Sequence, residues 1–256
     1  MPTSMIRHLK DMPTKHYENN CGGKLYVDAA RFIEADEAMH AGSFWGRVTM
    51  VPGSSVGYHE QKCNPAGDLE LYYVIEGNML ATLNGETSPM GPGDIMVCYN
   101  GDWNGLENVG DTNATVLAMI FCSPDGKSEP RKGFVRHLED MRTKHYDHNC
   151  GGKLYLDSNI FLEEEESFRA TSYMGRVTWI PGSSMGYHEQ NCNPSGDFEL
   201  FYMVEGSMVA TLDGKEDVIG PGDIMFCPNG AWNGLENVSD KNAVALVMIF
   251  RGSQNK

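Results

Sequence analysis

The feature that most constrains this chain is a long internal repeat. The segment HLKDMPTKHYENNCGGKLYVD, which begins at His8, returns as HLEDMRTKHYDHNCGGKLYLD from His137. The offset of 129 residues holds without a gap from His8 to Phe121. Solenoid and propeller arrays repeat every 20 to 50 residues, roughly, whereas a much longer period indicates that a whole domain is repeated. The sequence therefore predicts two similar domains.

The residues between the two copies have the composition of a linker. The stretch CSPDGKSEPRKG, from Cys122, is rich in Pro, Gly, Ser and charged residues. Such a composition is typical of exposed connecting segments. We predict an N-terminal domain at 1–122, a linker at 123–129 and a C-terminal domain at 130–256.

Short apolar runs separated by turn residues dominate each copy. Leu71–Ile75 and Met79–Leu83 have the composition of strands, and Asn84-Gly85 follows them, with Asp213-Gly214 as its counterpart. Both dipeptides suit a type I′ hairpin, in which both central residues need a positive φ. Many short strands at even spacing predict an all-β fold built from antiparallel sheets, a sandwich or a barrel.

The charge and hydropathy of the sequence indicate which kinds of partner this chain can bind. The formal net charge of −15 disfavours nucleic acid, which needs a basic surface. The sequence has no run of 18 apolar residues and no apolar signal segment at its N-terminus, so we expect no membrane partner and a cytoplasmic location. Seven cysteines without a C-x-x-C pair are typical of reduced thiols. We expect a small molecule as the ligand.

Two spaced motifs, present in both copies, resemble those of the cupin superfamily. The motif G-x5-P-x-G-x2-H-x3-N is matched in spacing at Gly93, Tyr99, Gly101, Asn104 and Asn108, and at Gly222, Pro228, Gly230, Asn233 and Asn237. The motif H-x-H followed by E-x6-G is matched at His59, Gln61, Glu70 and Gly77, and at His188, Gln190, Glu199 and Gly206. The resemblance implies two tandem cupin barrels of the double-stranded β-helix, or jelly-roll, type: a bicupin.

The departures from these motifs bear on the metal site that the resemblance implies. In cupins that resemble this chain, three His and one Glu hold a divalent metal, whereas here an amide replaces two of the three imidazoles. An inserted loop, Lys62–Asp68 or Asn191–Asp197, also lengthens the first motif. The metal-ligand candidates are His59, Gln61, Glu70 and Asn104 in the first copy, and His188, Gln190, Glu199 and Asn233 in the second.

Two interpretations of these candidates stay open. Side chains alternate faces along a strand, so His59 and Gln61 share a face. Imidazole, carboxylate and amide groups could hold Mn²⁺, Zn²⁺ or Fe²⁺ in an open site of low affinity. Alternatively the amides replaced imidazoles when the metal was lost, and the pocket is a metal-free hydrogen-bonded network.

Five further side chains are candidates for catalysis. Arg47 and Arg176 occupy equivalent positions and could bind a substrate carboxylate through two parallel hydrogen bonds. Tyr72 could donate a proton or a hydrogen bond, and a phenylalanine takes its place in the second copy. His16 and His145 could supply a missing imidazole if the N-terminal arm of each copy folds over a barrel mouth.

These residues support three hypotheses about function. The first is a metal-assisted, non-oxidative enzyme (an isomerase, lyase or decarboxylase) that acts on a small oxygenated substrate. The second is an iron-dependent dioxygenase, although the motifs do not supply its two His and one carboxylate. The third is a metal-free binding module. Cupins that resemble this chain assemble through an exchanged N-terminal strand, which a fused pair can mimic, so monomer and homodimer both stay open.

Overall fold

The computed structural model describes residues 3–62, 69–124, 129–191 and 197–252. Residues 63–68 and 192–196, which form most of the two predicted inserted loops, lie outside this description. So do residues 125–128 of the predicted linker.

The described residues form short strands and four single-turn 3-10 helices. The strands up to residue 124 are β1 Met5–Arg7, β2 Thr14–Glu18, β3 Tyr26–Arg31, β4 Gly42–Met50, β5 Ser55–Glu60, β6 Leu69–Glu76, β7 Met79–Leu83, β8 Glu86–Met90, β9 Ile95–Tyr99, β10 Trp103–Asn108 and β11 Ala114–Phe121. The later strands are β12 Phe134–Arg136, β13 Arg142–Asp147, β14 Tyr155–Ile160, β15 Thr171–Trp179, β16 Ser184–Glu189, β17 Phe198–Glu205, β18 Met208–Leu212, β19 Lys215–Ile219, β20 Ile224–Pro228, β21 Trp232–Glu236 and β22 Ala243–Phe250. The 3-10 helices are Leu9–Asp11, Asn20–Gly22, Leu138–Asp140 and Asn149–Gly151.

The chain divides into two compact units, each with one seven-stranded and one four-stranded sheet. The first unit comprises Met12–Asp36 and His40–Asp140, with strand orders β12-β9-β6-β11-β4-β3-β2 and β5-β10-β7-β8. The second comprises the described chain up to Asp11, Glu37–Met39 and the described chain from Met141, with strand orders β1-β20-β17-β22-β15-β14-β13 and β16-β21-β18-β19. The predicted all-β jelly-roll fold is confirmed.

The ends of these units differ from the predicted domain bounds because two short strands are exchanged. Strand β1 pairs with β20, deep in the second half of the sequence, and β12 pairs with β9 in the first half. An aspartate just before the partner strand, β20 or β9, also binds the exchanged segment. The Leu9 amide donates to Asp223 (2.8 Å), and the Leu138 amide donates to Asp94 (2.8 Å). Each unit is therefore completed by a strand from the other sequence copy, as the resemblance to cupins implies.

Both predicted hairpin turns are confirmed by backbone geometry. Asn84 and Gly85 have φ values of 51° and 84°, and Asp213 and Gly214 have values of 49° and 79°. Positive φ at both central residues defines the type I′ turn, whose twist matches that of the flanking strands. None of the described helices is of a length and hydropathy that would span a bilayer.

The two sheets of each unit pack around an apolar core. In the first unit Val74 and Val116 of the large sheet share a cluster with Ala81 and Leu106 of the small sheet. Along β6 the even-numbered side chains point to this interior, because strand side chains alternate faces. Glu70 lies on the same face and is only 7% exposed, so the fold places a carboxyl group inside the barrel.

Candidate ligand-binding cavities

Each unit contains a cavity lined by residues of both sheets. The cavity of the second unit has a volume of about 330 Å³ and that of the first about 260 Å³. Pockets that bury drug-sized ligands have volumes of roughly 300 to 1,000 Å³. These cavities are therefore suited to small molecules.

The predicted amide ligands form one hydrogen-bonded group in each unit. Asn104 is fully buried and its Nδ2 donates to Gln61 Oε1 at 3.3 Å. In the second unit Asn233 Nδ2 donates to Gln190 Oε1 at 3.4 Å. His59 lies directly opposite Asn104 in the β5–β10 ladder, and residues opposite each other in an antiparallel pair share a face. The structure therefore brings the predicted imidazole and both amides together.

The imidazole tautomer follows from one contact in each copy. His59 Nδ1 lies 2.8 Å from the Gly57 carbonyl oxygen, and His188 Nδ1 lies 2.8 Å from that of Gly186. A carbonyl oxygen can only accept, so Nδ1 carries the hydrogen. In the neutral ring Nε2 then has a free lone pair, which is the arrangement that metal-ligating histidines adopt.

Glu70 is the carboxyl group of the first cavity. Burial raises the pKa of Glu70 to about 7, although a hydrogen bond from Tyr72 and the charge of His59 act to lower it. Burial also raises the pKa of Tyr72, and the nearby Glu70 adds to that rise. The Tyr72 phenol therefore stays protonated and acts as a hydrogen-bond donor to Glu70, not as a ready source of protons.

Glu199 is the corresponding group of the second cavity, which it lines together with His188 and Gln190. Burial alone raises the pKa of Glu199 to about 8. Phe201 takes the position of Tyr72 and offers no hydrogen bond. The two carboxyl groups thus sit in similar pockets but differ in one polar neighbour.

The polar end of each cavity, where the imidazole, the carboxyl group and the two amides lie, is rich in acceptors. His188, Gln190 and Glu199 line the second cavity, whereas in the first Glu70 lines the cavity and the charge of His59 acts on Glu70. Asn104 Oδ1 and Asn233 Oδ1 are buried without a hydrogen-bond partner. With the imidazole Nε2 and the buried carboxyl group, they form a set that attracts a cation or a hydrogen-bond donor. Neither here nor elsewhere do the described residues contain a group of three His, Cys, Asp or Glu side chains placed to hold a metal. A divalent ion here would thus depend on amide oxygens, which fit its chemistry as weak ligands.

The structure does not bring His16 or His145 to the cavities. His16 is exposed, with Nδ1 2.7 Å from Asp28 Oδ1, and His145 is exposed with Nδ1 2.7 Å from Asp157 Oδ1. On β2 the neighbouring side chain Tyr17 lines the first cavity instead. Alternation along the strand sends His16 to the opposite face.

Arg47 and Arg176 also lie away from the cavities. On β4, Phe44 and Val48 line the first cavity, so the odd-numbered Arg47 faces the other side of the sheet. Arg47 donates to the hydroxyls of Thr49 (3.0 Å) and Thr115 (3.3 Å). Arg176 pairs with Glu205. The prediction that these arginines face a substrate is not supported by their position.

Sequence reasoning missed other residues that line the cavities. Arg31 lines the first, and Asn149 and Cys150 line the second. The near-identity of NCGG in both copies was a signal for the latter pair. Burial, and then the nearby Glu199, raise the pKa of the Cys150 thiol, so the thiol is protonated in the ion-free cavity. Nothing in the sequence distinguished Arg31, because its position is not shared between the copies.

Comparison with known proteins decides the family. A family model described as the cupin domain matches residues 46–120 and again 175–250. The chain belongs to the cupin family. Because the match occurs twice, once in each copy of the repeat, the protein is a tandem bicupin.

The bicupin is similar to a curated protein of half its length. The oxalate-binding protein of Thermotoga maritima is 32% identical over 120 residues, which are 46% of the bicupin and 95% of that protein. One copy of the repeat thus corresponds to nearly the whole relative. This places the bicupin among cupins that act on or bind small molecules.

Solved structures share the fold of the bicupin over nearly its whole length. The formate complex of oxalate decarboxylase from Lactobacillus farciminis has a TM-score of 0.66 at 14% identity, over 98% of the bicupin and 87% of that chain. Protein YlbA from E. coli has a TM-score of 0.67 at 13% identity, over 96% and 91%. At these identities the likeness concerns the fold alone.

Proposed function

We propose that each barrel binds oxalate or a closely related small carboxylate through a divalent ion (Mn²⁺, Zn²⁺ or Fe²⁺) held at the polar end of its cavity. We further propose that the first barrel turns such a ligand over without net oxidation, as a decarboxylase or related lyase does. The observation that carries this proposal is the unpartnered, buried Oδ1 of Asn104 and Asn233.

The electrostatics of the polar end favour an ion between protein and ligand. A carboxylate ligand offers only hydrogen-bond acceptors. The protein side also presents acceptors, namely Asn104 Oδ1, His59 Nε2 and an ionised Glu70. Acceptors facing acceptors repel, and a buried carboxylate beside a second one is strongly disfavoured. A divalent cation in contact with both sides resolves this conflict, because hard oxygen ligands and imidazole suit it.

The nature of the ligand is supported by the relative. A protein that is 32% identical over almost its whole length is an oxalate-binding protein. The cavities, of about 330 and 260 Å³, admit a ligand of that size.

The first barrel differs from the second in the group that positions its carboxylate. An ion bound there would polarise the ligand and disperse the negative charge that develops as a bond to its carboxyl carbon breaks. Tyr72 holds Glu70 by a hydrogen bond, and Val48 and Val116 form apolar walls that limit water. Because Phe201 replaces Tyr72 in the second barrel, we assign turnover to the first.

Metal-free binding is the second candidate, and a specific contact favours it. The Asn104–Gln61 and Asn233–Gln190 hydrogen bonds satisfy part of the hydrogen-bonding capacity of the amides without an ion. The dioxygenase hypothesis lacks this kind of support, since one imidazole per cavity among the described residues falls short of its two-His ligand set.

Calorimetric titration with oxalate separates these candidates. Protein treated with a chelator is expected to bind no oxalate, and protein reloaded with Mn²⁺ is expected to bind about two oxalates per chain. His59→Ala and His188→Ala are each expected to remove one site, because each removes the imidazole ligand of one barrel. His16→Ala, outside the cavities, is the matched control. Oxalate binding that survives chelation would favour the metal-free module, and formate and CO₂ release from the loaded protein would test turnover.

A further inference from the structure

The two cavities differ in the residue at the end of one lining strand, which is charged only in the first. Arg31, the last residue of β3, lines the first cavity. It lies on the same strand face as Val27 and Ala29, which also line the cavity. The equivalent residue of the second copy is Ile160, which is buried. Arg31 lies opposite Gly46 and Ile160 opposite Gly175, so the two positions have the same register.

Arg31 is held over the cavity by an aromatic ring. Its guanidinium carbon lies 5.0 Å from the centroid of the Phe44 ring, and Phe44 also lines the cavity. Stacking of this kind restrains a guanidinium without using its N–H groups. In the second copy Tyr173 replaces Phe44, and its hydroxyl lies 2.6 Å from Ser158 Oγ. The second copy thus has an isoleucine in place of the cation, and a hydroxyl pair where the first copy has Phe44 and Ala29.

The remaining contact of Arg31 can be exchanged for a ligand. Arg31 Nη1 donates to Glu34 Oε2 at 3.1 Å, with the two side chains 38% and 51% exposed. Ion pairs at such exposure contribute little to stability. A ligand carboxylate that takes the place of Glu34 would gain two parallel hydrogen bonds in a more enclosed setting.

The sheet register places Arg31 across the cavity from the polar end. Arg31 lies opposite Gly46 of β4, and that row continues through Ala118 of β11 to Tyr72 of β6. Tyr72 is hydrogen-bonded to Glu70 at the polar end. The row from β3 through β4 and β11 to β6 spans three strand spacings, about 14 Å between backbones. The Arg31 and Glu70 side chains both extend into this space, which leaves room for a short ligand between them.

We infer that Arg31 makes the first barrel selective for short dicarboxylates, with one carboxylate at the polar end and the other at the guanidinium. The second barrel lacks this counter-charge: among its described lining residues the ionisable groups are His188, Glu189, Glu199, Tyr146, Tyr173 and Cys150, with no Arg or Lys. It therefore does not distinguish a second carboxylate from an uncharged group. This inference rests on the proposed function, since it assigns the ligand class of the same site.

The test compares succinate with succinamate, in which an uncharged amide replaces one of the two carboxylates, by calorimetry on the Mn²⁺-loaded full chain in a His188→Ala background. That background leaves the first barrel as the expected site. Arg31→Ile, which installs the residue of the second copy, is expected to weaken succinate binding about 30-fold and leave succinamate binding unchanged. Arg47→Gln, on the other face of the neighbouring strand, is the control and is expected to change neither.

Each other outcome overturns the inference in a distinct way. If Arg31→Ile changes succinate affinity by less than twofold, the inference fails and the proposed function stands. If both ligands weaken equally, Arg31 has only a structural role. If neither oxalate nor succinate binds the Mn²⁺-loaded wild-type chain, the proposed function and this inference fall together.

Discussion

Glu199→Gln is expected to raise the free energy of unfolding of the ion-free protein at pH 8 by about 4 kcal/mol. The reason is that burial raises the pKa of Glu199 to about 8, so the folded state resists the ionisation that the unfolded state undergoes near pH 4.5. Because the pKa of Glu199 is higher in the folded state than in the unfolded state, the stability contributed by the protonated carboxyl group is fully present below about pH 4.5. It is lost as the pH rises through about 8. Glutamine has a similar shape and cannot ionise.

Urea unfolding at pH 5 and pH 8 measures this effect. The wild-type protein is expected to lose stability between these two values, and the variant is expected to lose less. Glu189→Gln is the matched control, because Glu189 lines the same cavity but is exposed, and it is expected to change stability by less than about 0.5 kcal/mol. A destabilised Glu199→Gln variant at pH 8, in the absence of ions, would contradict a buried, protonated carboxyl group.

Affinity for a divalent ion is expected to fall steeply as the pH is lowered from 8 to 6. An ion needs the ionised carboxylate and competes with the proton on it. With pKa values of about 7 for Glu70 and about 8 for Glu199, affinity is expected to drop about 10-fold in the first barrel and about 50-fold in the second. The second barrel should therefore lose its ion first.

Titration with Mn²⁺, followed by the paramagnetic resonance signal of the free ion, measures both sites at each pH. His188→Ala leaves the first barrel to be measured, and His59→Ala leaves the second. Glu70→Gln and Glu199→Gln remove the titrating group, so the residual affinity of the altered barrel is expected to be weak and less dependent on pH. Equal affinity at pH 6 and pH 8 in both barrels would show that the buried carboxyl groups are not ligands.

Much of the fold could be predicted from the sequence because the signals were local or repeated. The Asn84-Gly85 turn is set by two residues that tolerate positive φ, and its backbone confirms this. The exchange of β1 and β12 could not be placed from residues alone. Strands of three residues carry little pattern of their own, and their pairing with β20 and β9 is a contact between distant parts of the chain.

The polar end of each cavity could be predicted, but its surroundings could not. His59 and Gln61 share a strand face and a motif, so they were found from spacing. The face of Arg47 was hard to predict because β4 carries buried residues on both faces, which obscures the alternating pattern that reveals the inner face. Arg31 of β3 was missed because the second copy has Ile160 at its position. Where both sides of a strand are covered, only the partner strands decide which side chains reach the cavity.

The central claim is that an imidazole, a carboxylate and an amide oxygen in each barrel hold one divalent ion. Anomalous diffraction from crystals grown with Mn²⁺ near pH 8 tests it directly. We expect two peaks per chain, one in each barrel. Each peak should lie about 2 Å from the histidine Nε2 (His59 or His188) and from a carboxylate oxygen of the glutamate (Glu70 or Glu199) of its barrel. Crystals with no peak in either cavity, or with peaks only at the protein surface, would contradict it.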